Sequence, residues 1–220
     1  MSLRVGLTGG LASGKTTVAE MFRARGAHVL YADKVGHELM QPGKPVYDKI
    51  VKRFGQTIVN LDKTIDRGKL AEIAFGSGSI EDLNRIVHPA VGARLERWIE
   101  ERTEFDPRAV LIFEAALILE AGLGKYFDKL IVVASDAQQK LERFAARSMT
   151  GENQDKARHN VALRDAERRI GSQLSQEEKI TAADYVIDNC GTLAETERQV
   201  NAIWKELQQL ASGKQRASGS

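Results

Sequence analysis

Residues 9–16 read Gly9-Gly10-Leu11-Ala12-Ser13-Gly14-Lys15-Thr16, a match to G-x-x-x-x-G-K-[ST], and they follow directly on the apolar run Leu3 to Thr8. A string placed this way calls for a strand, a tight glycine turn and a helix in immediate succession. Glycines let successive backbone N–H groups turn inward around an anion, and the helix opening near Gly14 adds its positive end. Lys15 then reaches the β- and γ-phosphates of a nucleotide, and the Thr16 hydroxyl ligates Mg2+. Such a string arises by chance in about one per cent of chains this long at average composition. The competing reading is a glycine-rich βα turn that binds nothing, and the strand before and helix after argue against it.

The rest of the chain is built to match. Short, nearly continuous apolar runs recur at His28 to Ala32, Val110 to Phe113, Leu130 to Ala134 and Tyr185 to Ile187. Runs without alternation suit parallel strands covered on both faces. Between them lie residues at helical spacing: Val18, Met21 and Phe22; Val91, Leu95, Trp98 and Ile99; and Leu193, Val200, Ile203, Trp204 and Leu207. Strands alternating with helices predict an α/β fold with a doubly wound, parallel five-stranded sheet. Two stretches interrupt the alternation. Residues 34–108 are too long for one crossover and read as a helical insertion, punctuated at Gln41-Pro42-Gly43 and Gly76-Ser77-Gly78-Ser79. Residues 147–180, charged and containing Gly151 and Gly171, read as a lid. One kinase-type domain is expected over 1–212, with a flexible tail at 213–220 that has a single apolar residue.

Composition removes several classes of partner. The chain carries 32 basic and 30 acidic residues, a net charge of +2, so no strongly basic surface for nucleic acid is expected. The apolar runs fall far short of the roughly 20 residues of a membrane helix. A single cysteine, Cys190, forms no internal disulfide and reads as a small apolar filler. With no signal-like stretch after Met1, the expected location is the cytoplasm.

A phosphate loop names the nucleotide and leaves the acceptor open. Switch GTPases need a guanine-reading N-K-x-D, which is absent, although Asp33-Lys34-Val35-Gly36 spells D-x-x-G. Motor ATPases have an apolar strand ending in acids, to which Leu111-Ile112-Phe113-Glu114 is a weak approximation. Small-molecule phosphotransferases therefore lead, ahead of an NTP-driven switch or binding module.

Several segments, in fixed order, narrow this further. Leu7-Thr8-Gly9-Gly10 through Lys15-Thr16-Thr17 resembles the opening of dephospho-CoA kinases. Ala32-Asp33 is similar to their D-A-D segment, and Pro42-Gly43 and His88-Pro89 to their substrate-side markers. Phe113 to Glu120 resembles their D-x-P-L-L-x-E stretch, with Glu114 in place of the usual aspartate and Ala116 in place of proline. Asp184-Tyr185-Val186-Ile187-Asp188-Asn189 matches their A-D-x-V-I-D-N ending. The resemblance runs from Leu3 to about Leu207. It implies phosphate transfer from ATP, with Mg2+, to the ribose 3′-hydroxyl of dephospho-CoA. A nucleoside, nucleotide or shikimate-type kinase is the alternative within the same class. A monomer or weak homo-oligomer is expected.

On this reading the nucleotide contacts are Gly9, Gly10, Leu11, Ala12, Ser13, Gly14, Lys15, Thr16 and Thr17, with Asn189 and Gly191 near the adenine by family analogy. Asp33, Lys15 and Arg147 are the catalytic candidates and Thr16 the metal ligand. Acceptor contacts are expected at Thr8, Asp33, His88, Glu114 and Leu117. Asp33, following the second apolar run, is placed either to take the proton of the acceptor hydroxyl or to N-cap a helix over 34–40. His88-Pro89 either touches substrate or starts a helix with Pro89 at its first position. Glu114 is placed to hold Mg2+ through water, and Glu120 either joins the site or forms a simple ion pair. Arg143 and Arg147, four apart, share a helix face and point together at phosphates, or else form part of a solvated face with Glu152 and Asp155. Arg169-Ile170-Gly171-Ser172-Gln173 resembles the family's R-I-x-x-Q segment.

Overall fold

The computed structural model describes residues 1–136 and 173–217, with side chains to residue 213. Five strands are found among these residues: β1 (Leu3–Gly9), β2 (His28–Tyr31), β3 (Val110–Glu114), β4 (Lys129–Ala134) and β5 (Tyr185–Asp188). They form one sheet in the order β2-β3-β1-β4-β5. β1 pairs in parallel with β3, Leu7 facing Glu114, and with β4, Gly9 facing Val133; β4 pairs in parallel with β5, Ala134 facing Asp188. The continuous apolar runs are explained by this order. Val5, Leu7, Ile112, Ile131 and Val133, on the three central strands, are wholly buried. Val186, on the last strand of the order, is 40% exposed.

The connection leaving β1 leads to β2 on one side of the sheet, whereas β4 leads on to β5 at the other. A crevice opens beyond the carboxyl ends of strands where the chain reverses direction in this way, and parallel α/β sheets bind ligands there. β1 stands at this point in the order, and its carboxyl end carries the glycine-rich loop.

The chain divides into two compact units, one of Met1–Leu30 and the chain from Arg102 onward, the other of Tyr31–Glu101. In the first, α1 (Lys15–Ala24) buries Val18, Ala19 and Phe22, and the Phe22 ring lies 6.4 Å from that of Trp204 in the C-terminal helix. The second unit carries α2 (Ala32–Leu39), α3 (Pro45–Phe54), a 3-10 turn at Gln56–Ile58, α4 (Arg67–Gly76) and most of α5 (Ile80–Phe105). Its core is Val46, Ile50, Phe54, Ile58, Ile65, Leu70 and Ala74, the apolar faces of α3 and α4 closing on one another. Gln41-Pro42-Gly43 falls between α2 and α3, and Gly76-Ser77-Gly78-Ser79 covers the last residue of α4 and the turn before α5. Pro45 opens α3, and the Asp66 carboxylate caps α4 by accepting from the Lys69 N–H at 3.0 Å. The first unit continues with α6 (Gln176–Thr181) and α7 (Leu193–Ala217).

Three local expectations are corrected. The helix after β2 begins at Ala32 rather than Lys34, so Asp33 lies inside its first turn; the N-cap is Tyr31, with no side-chain cap. Pro89 does not start a helix. It lies inside the 26-residue α5, although proline removes the bond its N–H would make to the carbonyl four residues back. Ile80, Leu83, Ile86, Val87 and Ala90, on both sides of the proline, pack against the same core, and that burial keeps the helix continuous through it. Finally, α7 continues to Ala217, past Ser212. Lys214, Gln215, Arg216 and Ala217 are strong helix formers that need no apolar face to extend an existing helix.

Candidate active site

The loop between β1 and α1 has the backbone its sequence requires. Gly9 has φ 153° and Gly14 φ 92°, both outside the comfortable range of an L-residue with a Cβ, and Ala12 also sits in the left-handed region at φ 55°. A Cβ on Gly9 would be driven into the carbonyl oxygen of Val133 on the neighbouring strand. This glycine is therefore needed for close packing of β1 on β4 as well as for the turn. Gly14 precedes α1 without any side-chain cap, and the first turn holds no acidic residue. No side-chain cap or first-turn carboxylate therefore competes with an outside anion for the start of α1.

The Lys15 ammonium donates to the carbonyls of Gly9 (3.1 Å) and Gly10 (2.9 Å), so the loop itself holds the cation over its own mouth. Thr16 and Thr17 are exposed on the first turn of α1. Ser13 is fully buried, and its hydroxyl has no hydrogen-bond partner among the described residues. Gly10 and Leu11 are partly exposed at the rim.

Neighbouring strand ends converge on this loop. Asn189, just past β5, is 6% exposed. Its backbone N–H donates to Ala134 at 2.8 Å, its side-chain NH2 donates to the Ser13 carbonyl at 2.8 Å, and its side-chain oxygen accepts from the Thr196 hydroxyl at 2.9 Å. Both ends of the amide are thus engaged with protein, one of them with the phosphate loop. Gly191 is exposed in the turn that Glu195 closes on Thr192, beside a shallow depression lined also by Asp188, Arg198 and Gln199. Cys190 is half-buried; hydrogen bonding to Asp188, with some burial, pushes its thiol above the ordinary range, as suits an unreactive filler.

Glu114 ends β3 and is buried at 7% exposure, level with Leu7 of β1. Thr8 is fully buried and its hydroxyl donates to the Ala116 carbonyl at 3.2 Å. Leu117 is half-buried on the same segment. Glu120 turns away into an ion pair with Lys179 at 2.9 Å and also accepts the Leu174 N–H at 3.0 Å. Its ion-pair alternative is the one the structure realises.

Asp33, exposed on α2, and His88, half-buried on α5, belong to the second unit. Burial pushes the His88 imidazole below its ordinary pKa, so the ring is neutral near pH 7. Arg143, Arg147, Arg169 and most of the expected lid fall outside the described residues. Sequence reasoning missed Lys179, whose ammonium is buried beside Glu120. Flanked by Glu178 and Ile180, it carries no signal that distinguishes it from a solvated lysine.

The oxygen donors suit a small hard cation. Thr16 presents an exposed hydroxyl at the loop's edge and Glu114 a carboxylate at the next strand end, which with phosphate oxygens and water make the donor set Mg2+ prefers. No cluster of three acidic, histidine or cysteine side chains that would hold a metal by protein alone exists among the described residues.

Comparison with known proteins identifies the family. The profile of the dephospho-CoA kinase family matches residues 3–195. A dephospho-CoA kinase of Aquifex aeolicus is 41% identical over 205 residues, covering 93% of this chain and 97% of the relative. That of Leifsonia xyli is 40% identical, covering 92% and 98%. A Thermus thermophilus crystal structure superposes with a TM-score of 0.70 at 26% identity, over 94% of this chain and 98% of the other. A solved dephospho-CoA kinase from Campylobacter jejuni, at 24% identity and TM-score 0.67, shares the fold. With the phosphate loop, the parallel sheet and relatives matched over nearly their whole length, the chain belongs to the dephospho-CoA kinase family.

Proposed function

We propose that the chain transfers the γ-phosphoryl group of ATP to the ribose 3′-hydroxyl of dephospho-CoA, releasing coenzyme A and ADP. The observation that carries this reading is the uncapped start of α1 behind Gly14, with Lys15 poised over the loop. Phosphoryl transfer is mainly positioning and neutralisation of charge. The loop amides cradle the β-phosphate, and Lys15 exchanges its two carbonyl partners for phosphate oxygens when the nucleotide enters. Asn189 fixes the Ser13 peptide, and so the loop, before the ligand arrives. Mg2+, when bound through Thr16 and water beside Glu114, supplies further neutralisation of the β- and γ-phosphates.

The acceptor hydroxyl must lose a proton as its bond to phosphorus forms. Asp33 is the proposed base: it is exposed and ends no helix as a cap, so its carboxylate is available for that work. His88, Glu114 and Leu117 are the proposed acceptor contacts; Thr8 serves from behind, through Ala116. A coupled assay of ADP release tests the reading. Release should depend strongly on dephospho-CoA and little on shikimate or free nucleosides. A basal rate unaffected by dephospho-CoA would remove it.

A further inference from the structure

The buried lysine of α6 has no part in the scheme above. Lys179 is 1% exposed, although a charged ammonium is costly to take out of water unless it is paired and hydrogen-bonded. Its partners are Glu120, at 2.9 Å, and the carbonyl oxygen of Ala116, at 3.1 Å. That same carbonyl accepts the hydroxyl of Thr8, the residue immediately before the phosphate loop. Glu120 in turn accepts the Leu174 N–H, just ahead of α6, while its second oxygen is buried without a partner among the described residues. The Gln176 side chain accepts the Ser135 N–H at 3.4 Å, tying the start of α6 to the end of β4.

One cation thus joins three pieces of chain: the end of β1, the segment after β3 and the helix before β5. A buried ion pair is weak as a source of stability, since apolar residues of similar volume often do as well or better. What this one provides is direction. The Ala116 carbonyl belongs to the peptide that leads into Leu117 and lies two residues past Glu114, so holding it from two sides restrains the short segment that carries both.

We propose that Lys179 is a positioning residue of the phosphoryl transfer: clamped by Glu120, it holds the Ala116 carbonyl against Thr8 and so sets the acceptor-facing segment 114–117 relative to the phosphate loop. The proposal rests on the reading of Glu114 and Leu117 as contacts of the acceptor nucleotide. It separates Lys179 from the ATP-binding loop, whose own geometry is fixed by Gly9, Gly14 and Asn189.

The test uses Lys179→Met, Glu120→Gln and the double variant in the full chain, with thermal unfolding and steady-state kinetics against each substrate. Lys179→Met should raise the KM for dephospho-CoA by about tenfold or more and leave the KM for ATP within about twofold. The double variant, which buries neither charge, should recover the melting temperature lost by Lys179→Met yet keep the raised acceptor KM. Should Lys179→Met fail to fold, the double variant carries the same comparison. An unchanged acceptor KM in the double variant, or an equal rise in both KM values, would overturn the proposal and leave Lys179 a purely structural ion. Wild-type turnover is the internal control: its absence with dephospho-CoA refutes the functional reading and this proposal with it, whereas normal wild-type turnover with an unchanged acceptor KM in the double variant refutes the proposal alone.

Discussion

The side-chain NH2 of Asn189 donates to the main-chain carbonyl of Ser13 at 2.8 Å across 176 residues of sequence, entirely within the protein interior. The end of β5 therefore braces the phosphate loop from below, and Thr196 on α7 orients the amide by donating to its oxygen.

Removing that brace should harm nucleotide binding before chemistry. Asn189→Leu leaves the Ser13 carbonyl and the Thr196 hydroxyl without this partner in the interior, which costs about 2–3 kcal/mol. Asn189→Asp keeps an acceptor for Thr196 but cannot donate to Ser13. Both variants should raise the KM for ATP by about tenfold, with Asn189→Asp the more informative because its size is unchanged. Calorimetric unfolding and initial rates against ATP check this; an Asn189→Asp enzyme with normal ATP kinetics would show that the brace is idle.

Lys15→Ala should lose turnover by about a hundredfold or more while the protein stays folded, because a preorganised cation facing developing charge is lost. The two loop carbonyls it leaves, on Gly9 and Gly10, lie at a rim that water reaches at Gly10. Circular dichroism and single-turnover rates separate the two effects.

For Asp33→Asn, kcat should fall by about a hundredfold or more, the range of a lost general base, with ATP affinity held. Because Asp33 is not an N-cap, the melting temperature should change little. A large loss of stability with normal kcat would make the carboxylate a helix-terminus charge and nothing more.

His88 gives a pH dependence with a definite sign. Burial lowers its pKa in the folded protein below the ordinary value of 6.5. Between those two values the unfolded chain binds more protons than the folded one, so stability rises with pH through that window. The contribution is fully present above about pH 6.5 and is lost as pH falls towards the folded pKa. Melting temperatures from pH 8 down to about pH 5 should show this fall, and His88→Gln should flatten it.

Much of this molecule is legible locally. Gly9 to Thr17 announces itself because the turn needs glycine where φ is positive and a lysine at one spacing only. β1, β3 and β4 announce themselves because burial on both faces leaves an uninterrupted apolar run. Features set by distant partners are not legible. Nothing near Asn189 indicates that its amide reaches Ser13, and nothing near Lys179 separates a buried ammonium from a solvated one. Pro89 reads as a helix start by local rules, yet packing on both sides of it, from Ile80 to Ala90, outweighs one missing hydrogen bond. Asp33 reads from sequence as either a base or a cap, and only the start of α2 at Ala32 removes the cap.

The central claim concerns which atom receives the phosphoryl group. The direct measurement is the product formed from ATP and dephospho-CoA, identified by mass and by phosphorus NMR. The account predicts one new phosphomonoester on the ribose 3′-oxygen, formed in equal amount with ADP. ADP accumulating without that ester, or phosphate appearing elsewhere on the acceptor, would contradict it.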